Sequence, residues 1–208
     1  LEKHQPDYEI LVVEDGSTDR TVPIVRSLAK HNKRIKLLHH AQRLGKGGAL
    51  NIGLLAAKGD PIMMVDADGS MPAAHIGRLL AGMKNADLVI GSRYTKGSHV
   101  YGRRPWARRF IAWGFREITV PLYFGIHLSD TQSGYKAMRR KLVEQIIPKM
   151  KSTWFEWDVE LLVRAKRAGF KITEVSIDWR DVAKKNVHAL RDSWRMGTSL
   201  LALRSSLK

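Results

Sequence analysis

Tyr8-Glu9-Ile10-Leu11-Val12-Val13-Glu14-Asp15-Gly16-Ser17-Thr18-Asp19 carries an apolar run into an acidic cluster, and Pro61-Ile62-Met63-Met64-Val65-Asp66-Ala67-Asp68-Gly69-Ser70 does the same. Short apolar runs ended by turn residues read as buried strands. Carboxylates at the carboxyl ends of two such strands meet in one crevice, the place where open α/β sheets bind ligands. Asp66 and Asp68 stand one residue apart, a spacing that suits a hard divalent cation held against a phosphate. The pattern points to a nucleotide-diphosphate and metal site, and hence to an enzyme.

Outward from these two stretches, strand and helix alternate. Leu11 to Val13 is a strand core, and Thr18 to Lys30 a helix with Val22, Ile24, Val25 and Leu28 as its apolar stripe. Ile35 to His39 is a second strand, Lys46 to Lys58 a helix, Pro61 to Val65 a third strand, Pro72 to Met83 a helix and Ala86 to Ile90 a fourth strand. This alternation predicts an α/β fold with a mainly parallel sheet and flanking helices. Trp106 to Ile126 reads as a helix apolar on two sides, with Trp106, Phe110 and Trp113 on one face and Ile111, Phe115, Ile118 and Leu122 on another; one side suits the core and the other a membrane interface, or the whole helix is buried. Ser129 to Tyr135 is a polar turn, Trp154 to Ala168 a helix, Lys171 to Trp179 a strand, Ala183 to His188 a loop and Leu190 to Leu203 a last helix.

The 208 residues suffice for one sizeable core, and a single domain over 1–208 is expected. Cysteine is absent, which excludes disulfides and thiolate metal sites. The formal charge of +16 calls for an anionic partner: a phosphorylated substrate, an anionic membrane or nucleic acid. No run of eighteen or so apolar residues appears. The chain starts at Leu1 and not at Met, as a piece of a longer protein would.

Each candidate site residue has a plainer alternative. Asp15 could accept hydrogen bonds from a base or ribose, with Ser17 or Asp19 capping the next helix, or the segment is an ordinary strand-to-helix turn. Gly45-Lys46-Gly47-Gly48 resembles a phosphate cradle without Walker spacing, because no Ser or Thr follows Lys46. Lys46 pairs with a diphosphate or is a solvated helix-start lysine, and Arg43 is a second candidate for that charge. Asp66 and Asp68 hold metal or belong to an Asx-rich turn. Arg93, in Gly91-Ser92-Arg93, points into the crevice toward a phosphate or sits on the surface. Asp130, Gln132 and Ser133 form a substrate loop or a turn. Glu156 and Asp158 orient a sugar or favour a helix dipole.

Taken in order, Val12 to Asp19, Gly45-Lys46-Gly47-Gly48-Ala49, Asp66-Ala67-Asp68-Gly69, Gly91-Ser92-Arg93-Tyr94 and Asp130-Thr131-Gln132-Ser133-Gly134-Tyr135-Lys136 resemble the family 2 glycosyltransferases. The closest likeness is to the polyprenyl-phosphate branch, the dolichyl-phosphate glucosyl- and mannosyltransferases. The resemblance implies a Rossmann-like GT-A fold, a nucleotide-sugar donor, Mg²⁺ or Mn²⁺, and a polyprenyl-phosphate acceptor met at the cytoplasmic face of a membrane. It places Glu14, Asp15, Ser17, Lys46 and Asp66 on the nucleotide, and Asp66 and Asp68 on the metal. Asp68, Arg93, Arg104 and Arg108 stand at the reacting phosphates, with Arg103 beside them. Asp130, Gln132, Ser133, Glu156 and Asp158 stand near acceptor and sugar. Helices over 103–126 and 190–204 are the candidate membrane-interface elements.

The Trp154 to Leu162 stretch, Asp130-Thr131-Gln132 and Ser193-Trp194-Arg195-Met196 resemble the glucosyl branch, which favours UDP-glucose over GDP-mannose. Ser70 stands where the mannosyl branch often carries glutamine, and Ala183-Lys184-Lys185-Asn186 replaces a Gly-Ser-Lys-like loop. The family usually opens with a strand bearing Pro-x-Tyr-Asn-Glu and a helix. That unit, about 30 residues, is missing ahead of the first acidic motif. The rival readings are a basic nucleic-acid-binding domain, although nucleic acid is not expected, and an inactive transferase-like scaffold at a membrane surface. Oligomeric state is silent in the sequence.

Overall fold

The computed structural model describes residues 7–102, 113–154, 156–180, 199 and 203–205. The first unit is β1 (Ile10–Asp15), α1 (Thr21–His31) and β2 (Ile35–His40), with the strands parallel and Ile10 opposite Ile35. Asp19 Oδ1 accepts the Thr21 N–H at 2.9 Å and so starts α1. Of the expected stripe on α1 only Val25 is buried, while Ile24 and Leu28 are each 52% exposed. A sheet of two strands is too narrow to cover the whole apolar face of a helix.

α2 (Gly45–Ala56) packs on β1 and also on β3 (Ile62–Val65). A 3₁₀ turn, Ala73–His75, leads into α3 (Ile76–Gly82), then β4 (Leu88–Ser92) and the short β5 (His99–Tyr101). Beyond 113, a π turn at Phe115–Thr119 runs into α4 (Val120–Phe124), which Gly125 ends in the left-handed region. Pro121 cannot donate to this ladder, and the Val120 N–H reaches back to the Phe115 carbonyl. The widened turn breaks the regular stripe: Phe115 packs on the core, while Ile118 and Leu122, expected on the same side, are 52% and 71% exposed.

β6 (Tyr135–Met138), α5 (Arg140–Ile146) with a 3₁₀ turn at Ile147–Lys149, α6 (Trp157–Arg167), β7 (Ile172–Ser176) and β8 (Asp178–Arg180) follow. The larger sheet has the order β3–β6–β4–β7. β7 is parallel to β4, β8 is parallel to β5, and β6 is antiparallel to β3 and β4. β6 is a strand that the sequence reading does not contain, because Lys136 interrupts its apolar character.

Alternation along β4 separates two cores. Leu88 and Ile90 join Met64, Met138, Leu142, Leu161 and Leu162 beneath α2, α5 and α6. Val89 joins Leu79, Met83, Ala137 and Ile177 beneath α3. The expected strand over Lys171 to Trp179 is split at Ile177, whose N–H donates to the Ser92 carbonyl. The Ala183 to His188 loop and most of 190–204 lie outside the described residues, although Leu203 is buried in the first core.

Candidate active site

The glycine-rich opening of α2 is shaped by its neighbours. Gly45 takes a φ of +81°, and a Cβ there would stand 2.7 Å from the Thr153 carbonyl oxygen. A Cβ on Gly47 would meet the Ser152 carbonyl oxygen at 2.7 Å and the Trp157 ring at 2.8 Å. The Gly47 N–H instead donates to the Thr153 carbonyl at 2.8 Å. Buried Glu160 of α6 holds that loop by accepting the Lys151 and Ser152 N–H groups. Trp157 Nε1 donates to Asn51 Oδ1 at 2.7 Å, tying α6 to α2. These glycines therefore serve close packing, a role the phosphate-cradle reading does not include.

Asp15, at the end of β1, accepts the Leu44 N–H at 2.6 Å and the Gly45 N–H at 2.9 Å. It holds the first turn of α2, where the helix has unpaired donors. Lys46 follows directly, with its Nζ 3.7 Å from Asp66 Oδ1 and 3.6 Å from Asp158 Oδ2. Lys136, fully buried on β6, donates to Asp158 Oδ1 at 2.5 Å and to the Ser133 carbonyl at 2.6 Å. Burial pulls Lys46 down, but the charges of Asp158 and Asp66 overcome it and leave its pKa above the ordinary lysine value. Burial pushes Asp158 up, and Lys136 and Lys46 more than reverse that, so its carboxyl stays below the usual range.

Asp66 and Asp68 stand in a turn after β3 and not in an extended segment. Asp68 Oδ1 accepts the Ser70 N–H at 3.0 Å, as the Asx-turn alternative predicts. Tyr135 Oη donates to the Asp66 carbonyl at 3.3 Å and accepts the Met71 N–H at 3.2 Å, fixing both ends of this turn. A Cβ on Gly134 would lie 1.8 Å from Asp66 Oδ2, so the missing side chain is the seat of that carboxylate. Among the described residues no group of three His, Cys, Asp or Glu side chains has metal-holding geometry. Two carboxylates still fit Mg²⁺ or Mn²⁺ where a diphosphate completes the sphere, because such ions keep several non-protein ligands.

The remaining predicted residues divide. Glu14 is buried and turned inward: Oε1 accepts the Ser17 N–H of its own turn and Oε2 pairs with His39 Nδ1 on β2, so its carboxylate is engaged by the turn and by the neighbouring strand. Arg93 donates through Nε and Nη2 to Asp130, both at 2.7 Å, and its guanidinium lies 5.0 Å over the Trp179 ring. Asp130 is buried and its N–H donates to Glu174. Ser133 donates to the Gly91 carbonyl. This arginine, expected at a ligand phosphate, thus has a protein carboxylate as its partner. Gln132 and Glu156 are half-buried, one in the turn before β6 and the other just before α6. Arg103, Arg104 and Arg108 lie outside the described residues. Lys136 and Gly134 belong to the site, and the visible signal for Lys136 is a lysine beside the apolar Ala137-Met138.

Two hollows of about 240 and 230 Å³ lie elsewhere, one beside Ile126 and Phe170 and the other beside Met83 and Arg139. Neither includes Asp66, Asp68 or Lys46; the site is marked by the chemistry of its residues. Among the described residues no helix is long and apolar enough to cross a membrane.

The family model described as glycosyl transferase family 2 matches residues 1–147. Glycosyltransferase AglD of Haloferax volcanii is 33% identical over 93% of this chain and 31% of its own length. Dolichyl-phosphate beta-glucosyltransferase ALG5D of Trichomonas vaginalis is 33% identical over 84% of this chain and 55% of its own. The Dictyostelium discoideum dolichyl-phosphate beta-glucosyltransferase is 30% identical over 95% and 62%. The chain therefore spans from under a third to under two thirds of the length of these relatives. Glucosyl-3-phosphoglycerate synthase from Mycobacterium tuberculosis, crystallised with Mn²⁺, UDP-glucose and phosphoglyceric acid, superposes with a TM-score of 0.68. It covers 93% of this chain and 67% of that one at 20% identity, a likeness of fold of the GT-A kind.

Proposed function

The chain belongs to glycosyl transferase family 2, and from that premise we propose that it transfers glucose from UDP-glucose, with inversion, to a polyprenyl (dolichyl) phosphate. The observation that carries this reading is the Asp66–Asp68 turn with the Lys46 ammonium 3.7 Å from Asp66. A nucleotide diphosphate needs a cation and a nearby ammonium, and this turn offers seats for both. The names of the similar dolichyl-phosphate beta-glucosyltransferases support glucose and a lipid phosphate.

A divalent cation on Asp66 and Asp68 would neutralise the departing diphosphate. An acceptor phosphate is already ionised at neutral pH, so orientation and charge neutralisation are the main tasks. Asp15 fixes the first turn of α2 and thereby Lys46. Asp158, held by Lys136, keeps Lys46 charged and directed at the site. Arg93 and Asp130 brace the wall beside β4, with Gln132, Ser133 and Glu156 nearby for acceptor and sugar. Arg104 and Arg108 are assigned to the acceptor phosphate. Attachment to a membrane surface, which the reading puts at the cytoplasmic face, is supported by the +16 charge and by the exposed Trp113, Ile118 and Leu122. Each basic residue near an anionic surface adds about 1 kcal/mol.

The test is a donor panel with polyprenyl phosphate, with and without Mn²⁺, using the full-length protein. UDP-glucose is expected to be used, and Asp68→Ala to lower transfer about 1,000-fold or more, the loss of several kcal/mol of charge stabilisation. Undiminished transfer by Asp68→Ala removes its metal role. An RNA-dependent, salt-sensitive shift with no response to UDP-glucose and Mn²⁺ favours the nucleic-acid reading instead. Donor binding without turnover favours the scaffold.

A further inference from the structure

Lys46 is shared between two carboxylates and close to neither, at 3.7 Å from Asp66 and 3.6 Å from Asp158. Asp158 has a second lysine, Lys136, at 2.5 Å, and keeps a cationic partner whether Lys46 stays or leaves. Among the described residues, Lys46 is the basic side chain in ion-pair reach of Asp66. Asp66 is seated beside β6, its Oδ2 filling the space that a side chain at residue 134 would take. The lysine, on a flexible four-carbon stem, is the partner that can move.

We propose that Lys46 is a stand-in cation: it neutralises Asp66 before ligands bind, and it passes from Asp66 to the diphosphate when metal and nucleotide arrive. This rests on the transferase reading of the site. The lysine then opposes metal binding alone, since its ammonium occupies a metal ligand and repels a second cation. The diphosphate removes that opposition by accepting the ammonium. Metal and nucleotide thereby strengthen each other's binding through Lys46, reciprocally, as linkage requires. Asp158 and Lys136 act as a fixed base for the exchange: Lys136 stays with Asp158, and Asp158 holds the lysine within reach of both positions.

The experiment measures Mn²⁺ binding by electron paramagnetic resonance in the full-length protein, with and without UDP. In the unmutated protein, UDP is expected to tighten Mn²⁺ about fivefold or more. In Lys46→Met, Mn²⁺ alone is expected to bind at least about threefold tighter, and the UDP enhancement to shrink toward unity. Lys46→Arg keeps the charge and is expected to keep the weaker Mn²⁺ binding without UDP. Tighter metal binding is not a consequence of misfolding, so the gain isolates the lysine. Unchanged or weaker Mn²⁺ binding by Lys46→Met, with UDP enhancement intact in the unmutated protein, overturns the proposal and leaves the transferase reading standing. Absence of Mn²⁺ binding in the unmutated protein, even with UDP, overturns both.

Discussion

Lys46 and Arg93 are two cations set against carboxylates, and they are held in opposite ways. Arg93 is closed on one partner: Nε and Nη2 each lie 2.7 Å from Asp130, its own N–H adds a third bond at 3.0 Å, and the Trp179 ring covers the guanidinium. Lys46 is shared between two partners at 3.6 and 3.7 Å. A planar fork closed on a carboxylate is a brace, because opening it leaves two desolvated charges. A point charge divided between two acceptors can be handed on at small cost. Both residues are candidate phosphate ligands in the sequence; the structure closes Arg93 on Asp130 and leaves Lys46 divided between Asp66 and Asp158.

The largest expected effect breaks the brace. Asp130→Ala leaves the Arg93 guanidinium buried against rings without its paired carboxylate, which costs about 3–5 kcal/mol of stability. Denaturant unfolding of the two proteins checks this. A loss below about 1 kcal/mol, the range of surface pairs, would show that Arg93 is free to turn toward a ligand and would erase the contrast.

The next effect concerns the transferable side of the comparison. Gly134→Ala puts a methyl group where Asp66 Oδ2 lies, at 1.8 Å, so the carboxylate must move. A displacement near 1 Å at a reacting centre costs about 100-fold in rate. We expect kcat/KM to fall by about that factor and Mn²⁺ affinity to fall with it, with circular dichroism unchanged. Unchanged kcat/KM would mean that the wall behind Asp66 is soft, and the exchange at Lys46 would then lose its fixed partner.

How much of this was legible in the sequence depends on the reach of each interaction. Asp66 and Asp68 stood out because a strand end and its acidic turn are local. The alternation of strands and helices was legible for the same reason, through β4. β6 was not, because the charge of Lys136 is cancelled by Asp158, which lies 22 residues away. Asp158 itself reads as a helix-dipole residue until α6 is packed against β6. The glycines at 45 and 47 read as a cradle because their true neighbours, Thr153 and Trp157, are distant in the chain. Arg93 looked available because its partner Asp130 is 37 residues away. Local chemistry was readable, and pairings between remote charges were not.

Glu14 is a third way of holding charge, and it supplies the smallest expected effect. Its carboxylate is held by hydrogen bonds from Ser17 and then by His39, and its pKa is held down to about 2 from the ordinary 4.5. A carboxyl depressed on folding contributes stability that is fully present above its unfolded pKa. That contribution is lost as pH falls from 4.5 toward 2. Glu14→Gln keeps the shape and removes the titration, so the variant should be less stable at neutral pH and show a flatter acid limb across that window. Unfolding followed from pH 7 to pH 2 in both proteins measures the difference. The same variant separates the turn role from the nucleotide role that the sequence suggests for Glu14. If the turn alone uses the carboxylate, UDP affinity at pH 7 stays within about twofold, the size of a surface change. A larger loss of UDP affinity with an unaltered acid limb would place Glu14 with Lys46 among the groups that reach the ligand, and the division between braces and transferable charges would have to be redrawn around β1.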